Sequence, residues 1–341
     1  MEARIGRFAL DEALQIEGEI SSSVKGMGVW LASLLPFGQS SQVLERVGRI
    51  GLCGMSIHRC VQEASERVSD YVAPQPVRKT ANIDMGVSTD GFYVNVRKDT
   101  KDWTEMKVGT VFHMDASDDD NEDKTSQHHE SIKEIHAVAQ TYVSVLTQGT
   151  EGETPNRIGQ KIQTEAEQRG WLTAQQTVVV ADGASWIWGQ AEQRFPDSAH
   201  VVDWYHAKQH LWTVAKLMDT GDDTPTAQWV QSQSDLLYHG KIVDLVAVCT
   251  SHADPKISRE ELDKNLNYFR NNSQRMQYAD FQRAGLPIGS GVIESAAKQY
   301  KHRLAATGMR WSQDGIQRLA PFIDARLSNR LDSLLQHCFP F

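Results

Sequence analysis

Three carboxylates stand in settings that suit chemistry more than solubility. Asp90 lies in Ser88-Thr89-Asp90-Gly91 at the end of a strand-like run, and Asp182 ends the apolar run Val178-Val179-Val180-Ala181. Glu294 follows Gly289-Ser290-Gly291-Val292-Ile293 at the start of a helical pattern. Two Asp at strand ends and a Glu at a helix start make the all-oxygen ligand set that two-metal phosphoryl transfer needs. Asp84 is the fallback for the first position, because it precedes Asp90 by an even number of residues and points to the same face of a strand. Taken singly, each Asp-Gly pair also reads as an ordinary turn.

The surroundings of Glu294 are cationic. In the helix opening at Ser290, Ile293, Ala297, Tyr300 and Leu304 form an apolar stripe, while Glu294, Lys298, Lys301 and His302 share a separate face. That face reads either as a Glu to Lys pair at helical spacing or as a metal ligand beside groups that hold phosphates. Gly289 and Gly291 permit close approach of a backbone or a phosphate to the helix start, or serve only as a cap. Further upstream, Asp203-Trp204-Tyr205-His206 is followed by His210. A His pair at this spacing binds zinc given a third ligand, and none is evident nearby; a polar role beside a metal or substrate, and structural hydrogen bonding, are the other readings. Trp186, Trp188, Trp204, Tyr205 and Trp212 crowd the same region, as core residues or as base-stacking platforms. No Walker loop, His-Glu-x-x-His or Gly-x-Ser-x-Gly element is present.

The elements that must position these groups follow from periodicity. Residues 40–70 fit two helices broken at 51–54, the outline of a helix-turn-helix, for which DNA reading and plain helical packing are both open. Ala73-Pro74-Gln75-Pro76 marks a connector. Beyond it, runs 83–90 and 92–97 predict a hairpin turning at Asp90-Gly91, with a third strand at 106–113. Helices are expected at 129–146 and 156–169, a doubly buried strand at 177–181, a helix at 185–194, a strand at 200–203 and a helix to 218. Residues 224–283 carry helical periodicity and no convincing strand. The expected class is α/β: a mixed sheet with an all-helical insertion and an N-terminal helical domain. The divisions fall at 1–75, 76–220, 221–285 and 286–341.

Bulk properties narrow the function classes. The 341 residues suffice for about two domains of ~150. A formal net charge of -9 argues against a uniformly basic surface. Charge is uneven, with an acidic stretch at 115–130 and a basic C-terminal part holding Arg283, Lys298, Lys301, Arg303, Arg310, Arg318, Arg326 and Arg330. Cys53, Cys60, Cys249 and Cys338 form no Cys-x-x-Cys pair, so reduced thiols are expected rather than a zinc ribbon or a disulfide framework. The longest apolar stretch, near 27–37, is too short to span a bilayer, and a soluble intracellular protein is expected.

Several islands recur together in one order: Ser88-Thr89-Asp90-Gly91 with Trp103-Thr104-Glu105-Met106-Lys107-Val108-Gly109, Ala181-Asp182-Gly183-Ala184-Ser185-Trp186, Val202-Asp203-Trp204-Tyr205-His206-Ala207, the stretch from Ile288 to Glu294, and Gly308-Met309-Arg310-Trp311-Ser312. In this the chain resembles the DDE transposases of bacterial insertion sequences, most closely the ISKra group, related to the Mutator-like transposases. The resemblance implies a ribonuclease H-like core interrupted by a helical insertion, with Asp90, Asp182 and Glu294 as the metal-binding triad for Mg²⁺, or Mn²⁺ in its place. It implies cutting of transposon DNA ends and their joining to target DNA, a double-stranded DNA partner, a homodimer or higher assembly on DNA, and a place at the nucleoid in the bacterial cytoplasm. Asp203 and His206 match the Asp/Cys-x-x-His element of such enzymes. Lys298, Lys301 and Arg303 are expected to neutralise phosphates near the cut, and Arg310 and Trp311 to serve DNA contact. Two features depart from the pattern: no zinc-ribbon-like Cys segment is present, and the acidic loop at 115–123 is atypical. The rival readings are a DNA-binding descendant that no longer cuts, and a glycosidase using Asp182 and Glu294 as acid and base, which leaves Asp90 without a task.

Overall fold

Five strands form one mixed sheet in the order β3-β2-β1-β4-β5: β1 (Asp84–Asn95), β2 (Trp103–Ala116), β3 (Ile135–Leu146), β4 (Thr177–Ala181) and β5 (Ala199–Val202). β1 to β3 pair antiparallel, whereas β4 lies parallel to β1 and β5 parallel to β4. The computed structural model describes residues 20–71, 83–97, 103–116, 135–147, 153–218, 223–251 and 259–340. The Ala73-Pro74-Gln75-Pro76 connector, the boundaries at 75 and 220, and residues 117–130 of the acidic stretch lie outside them.

Two expectations are corrected. No turn occurs at Asp90-Gly91, because β1 runs straight through it with Asp90 opposite Val108 and Gly91 opposite Lys107. A Cβ at Gly91 would lie 2.6 Å from Glu105 Oε1, the mobile end of a long side chain. The helix expected over 129–146 is, in its described part, strand β3. Ile135, Val138, Tyr142 and Leu146 fit a helical stripe, but Val138, Thr141, Tyr142, Val143 and Val145 are β-branched or aromatic and suit a pleated, half-buried surface. Pairing with β2 decides between them, and a register shift opposite Val111 to His113 is taken up where Ala139 adopts φ 50°. The outer edge of β3 is covered by side chains. The Tyr142 amide donates to Ser328 Oγ at 2.9 Å and the Ser144 amide to Asp324 Oδ2 at 3.0 Å.

Helices cover both faces. On one, Met85, Val87 and Val111 pack with Ile158 and Ile162 of α4 (Glu153–Gln168) and with Ile187 of α5 (Ser185–Arg194). A Cβ at Gly109 would lie 2.4 Å from Ile162 Cγ1, so this glycine lets α4 approach the strand. The same cluster continues into α6 (Trp204–Met218) and the helical segment α7 (Asp223–Tyr238), α8 (Ile242–Ser251), α9 (Arg259–Asn271) and α10 (Tyr278–Arg283). On the other face, Phe92, Val94, Met106 and Val108 meet α11 (Gly291–Leu304), α12 (Gln313–Leu327) and α13 (Leu331–Cys338). The N-terminal helices α1 (Ser22–Leu34), α2 (Phe37–Gly48) and α3 (Gly54–Ser65) share that second cluster through Val29, Leu44, Ile57 and Val61. Among the described residues no helix is long and apolar enough to cross a membrane.

Candidate active site at the carboxyl edge of the sheet

Parallel strands deliver their carboxyl ends to one edge, and the singled-out acids gather there. Val87 pairs with Val179, and three residues further along each strand come Asp90 and Asp182. The two are close enough for the Asp182 charge to act on Asp90. Burial is the larger force pushing the Asp90 carboxyl up; the Gly91 amide, Lys301 and His206 oppose it. Asp84 lies at the other end of β1, where it accepts the Gln176 amide at 3.0 Å, well away from Asp182. Among the described residues, Asp90 accepts only its neighbour's amide, from Gly91 at 2.7 Å, and Asp182 accepts the Ala184 amide at 2.8 Å.

Next along the edge, Asp203 follows β5 and is fully buried. One oxygen accepts the His206 amide at 2.7 Å, capping α6, while the other accepts both the Ser290 amide and Ser290 Oγ, the latter at 2.9 Å. Asp203 thereby joins the start of α6 to the start of α11. The Trp204 amide strengthens the joint by donating to the Ile288 carbonyl at 2.8 Å. Glu294 sits in the first turn of α11, with Ser290 Oγ at 3.4 Å and His206 Nε2 at 3.7 Å from its Oε1. Asp203, His206 and Glu294 each place a ligand atom within 4.8 Å of the others, and this group could hold a metal ion. Glu294 is therefore drawn to the Asp-x-x-His element, and the His206 charge also reaches Asp90.

The glycines around Ser290 are less constrained than their spacing suggested. A Cβ at Gly291 would meet nothing within 4 Å, and one at Gly289 would make ordinary contact with Tyr205 at 3.4 Å. Tyr205 itself is 65% exposed beside this loop, the most open aromatic near the carboxylates, whereas Trp188 is buried and Trp204 packs against Tyr238 and Tyr278.

The cations separate into two groups. Lys301 is exposed, and its charge reaches Asp90. Arg303 falls nine residues after Glu294, about 180° around the helix, and is only 1% exposed. A place beside the cut is corrected for Arg303: its Nε donates to the Ala32 carbonyl at 2.6 Å, tying α11 to α1. Lys298 lines the same cavity as Arg303. Trp311, expected to serve DNA contact, is half-buried and held in place. Its Nε1 donates to the Leu304 carbonyl at 2.9 Å, and its backbone bridges to Val96 of the chain leaving β1. Arg310 is exposed beside it.

Sequence reading missed the contribution of the helical segment. Tyr268 of α9 stacks on His210 with centroids 3.7 Å apart, and His210 Nδ1 meets Asn265 Oδ1 at 2.9 Å. Burial holds the His210 imidazole below its usual pKa and pushes the Tyr268 phenol up, with Asp182 and Asp203 adding to the latter. Among the described residues the Tyr268 hydroxyl is buried without a hydrogen-bond partner. The available signal was Gly183: a Cβ there would lie 2.0 Å from Tyr268 Cε2, so the glycine after Asp182 makes room for a ring. Neither a protein-family model nor a curated protein matches the chain by sequence.

Proposed function

We propose that the chain is a DDE-type transposase that cuts transposon DNA ends and joins them to target DNA by metal-dependent phosphoryl transfer on a ribonuclease H-like core. The observation that carries this reading is the placement of Asp90 and Asp182 on neighbouring parallel strand ends, with Glu294 in the first turn of the helix covering that sheet face. Three antiparallel strands followed by two parallel ones, in the order β3-β2-β1-β4-β5, support the ribonuclease H-like core.

The donor set fits a hard divalent cation. Asp90 and Asp182 offer only oxygen and repel one another, as suits Mg²⁺; His206 beside Glu294 and Asp203 also admits Mn²⁺. Asp90, Asp182 and Glu294 would hold such ions, whose chemistry when bound is to polarise the scissile phosphate and lower the pKa of the attacking hydroxyl. Asp203 has its oxygens occupied by backbone and Ser290 donors, and so positions His206 and Glu294. Lys301 offsets negative charge beside Asp90, as a phosphate backbone entering the edge requires. Tyr205 presents a ring on which an unpaired base at a cut end can stack. Double-stranded DNA is the partner, and two ends held together call for a dimer or higher assembly.

Nicking of supercoiled plasmid in Mg²⁺ or Mn²⁺ tests the reading. Asp182→Asn and Glu294→Gln should each abolish nicking while DNA binding survives; undiminished nicking by both, or nicking insensitive to a chelator, rejects it. One observation favours DNA binding without cleavage as the second reading: Glu294 is engaged by the Asp203 and His206 group instead of meeting Asp90 and Asp182. Wild-type chain that binds a duplex and never nicks it in either metal selects that alternative.

A further inference from the structure

A second cationic feature lies away from the carboxylate edge. A cavity of about 230 Å³ between α11 and α12 is lined by Leu34, Lys298, Gln299, His302, Arg303 and Arg326. No acid lines it among the described residues. Arg303 uses Nε on the Ala32 carbonyl, and the rings of Phe37 and Trp311 lie 5.6 and 5.0 Å from its guanidinium carbon. Ring faces attract the charge but offer no lone pair to an N–H. Among the described residues, both terminal nitrogens of Arg303 are buried without a hydrogen-bond partner, and so is Nε of Arg326, whose Nη1 lies 3.4 Å from Gln299 Oε1. Buried guanidinium donors are normally paired, and a tetrahedral oxyanion matches their fork. Burial together with the neighbouring Arg326 lowers the Arg303 pKa to about 10, the strain that a bound anion relieves. The volume admits an oxyanion with some water and falls short of the ~300 Å³ or more of a drug-sized ligand site.

We propose that this cavity is a phosphate-binding site that takes a non-reacting backbone phosphate of bound DNA. The DNA source rests on the transposase reading; the affinity for phosphate does not. Arg303 stands about 13 Å along α11 from Glu294 and on its opposite side, so a phosphate held there is not the one being cut. Lys298 and His302, one helical turn apart and exposed, form the rim through which the phosphate enters, with the two arginines behind.

The test compares the full wild-type chain with a Lys298→Gln/Arg326→Gln double variant, leaving Arg303 to hold α1. Thermal midpoints are read in rising inorganic phosphate against chloride at matched ionic strength and pH. Phosphate stabilises proteins generally by exclusion, so the quantity that matters is the difference between the two proteins. The wild type should gain several degrees more than the double variant gains; equal gains overturn the site. Lys298→Gln alone, on an exposed position, gives a smaller loss of the same kind and serves if the double variant does not fold. Anisotropy of a labelled duplex, in EDTA at several salt concentrations, tests the source. The double variant should bind about tenfold more weakly, with a salt slope shallower by about one or two. A lost phosphate effect with unchanged duplex binding keeps the pocket and overturns DNA as its ligand. Wild-type chain that binds no duplex, yet is stabilised by phosphate, fails the transposase reading while sustaining the phosphate site.

Discussion

Asp90 and Asp324 are both carboxylates whose pKa burial drives up, yet their surroundings differ in the one respect that separates a site from a strut. Asp324, on α12, accepts three donors: the Ser144 amide at 3.0 Å, Ser144 Oγ at 2.7 Å and the Tyr300 hydroxyl at 2.6 Å. It closes the outer edge of β3 and fixes α11 through Tyr300, and its lone pairs are largely committed. Asp90 accepts one backbone amide, from the residue next to it, and faces the Asp182 charge. The same residue type is satisfied in one place and left open in the other. An open buried acid is a reservoir of unfavourable energy that a bound cation can discharge.

The largest effect that tests this contrast is on cleavage. Asp90→Asn should reduce metal-dependent nicking by about a thousandfold or more, roughly 4 kcal/mol of barrier, while raising the denaturation midpoint in EDTA because a repelled, buried charge is gone. Asp324→Ala should do the reverse. It strands a buried amide and two hydroxyls at a cost of about 2–4 kcal/mol, read as a lower denaturant midpoint, and reduces nicking only through the displaced α11. If both substitutions move stability in the same direction, saturation of hydrogen bonds is not what distinguishes the two acids. A smaller change probes the support on the opposite side of the edge. Gly183→Ala drives a Cβ into the Tyr268 ring and should cost about 1–3 kcal/mol, with displacement of the His210 to Tyr268 stack visible as a change in near-ultraviolet circular dichroism. A spectrum and midpoint like those of the wild type would mean that Tyr268 yields freely and the helical segment does not brace Asp182.

How far sequence alone reaches is clear from the same residues. Asp182 and Asp203 are legible because each ends an apolar run, where a polar side chain needs a reason, and Glu294 because a glycine-rich stretch and a helical stripe frame it. Asp90 over Asp84 needed the β1 to β4 register, which no local pattern carries. The apolar residues of β3 satisfy the periods of both helix and strand, and only a partner strand chooses between them. Tyr268 was invisible because its contact with Gly183 spans more than eighty residues of chain. The position of Arg303 on the side of α11 opposite Glu294 does follow from 3.6 residues per turn, whereas its burial against Ala32 is tertiary. Side-chain type is local information, whereas hydrogen-bond saturation is tertiary, so the contrast between Asp90 and Asp324 could not have been read from the chain.

The smallest expected effect concerns acid titration at Asp324, where no metal ligand complicates it. Its folded pKa lies above the unfolded value of about 3.9, because burial outweighs Lys161 and the three donors. Protonation is then favoured in the folded state, so the titration contribution to stability is fully present below the unfolded pKa and is lost as pH rises through the folded one. Asp324→Asn cannot titrate, although it keeps one acceptor for the three donors. The stability of the wild type relative to this variant should therefore be greatest in acid and fall toward neutral pH, measured as urea midpoints in steps from pH 4 upward. A relative stability that rises with pH would show that the Ser144 and Tyr300 donors hold the folded pKa below the unfolded one. Asp324 would then be a favourably ionised strut, and its difference from Asp90 larger than burial alone implies.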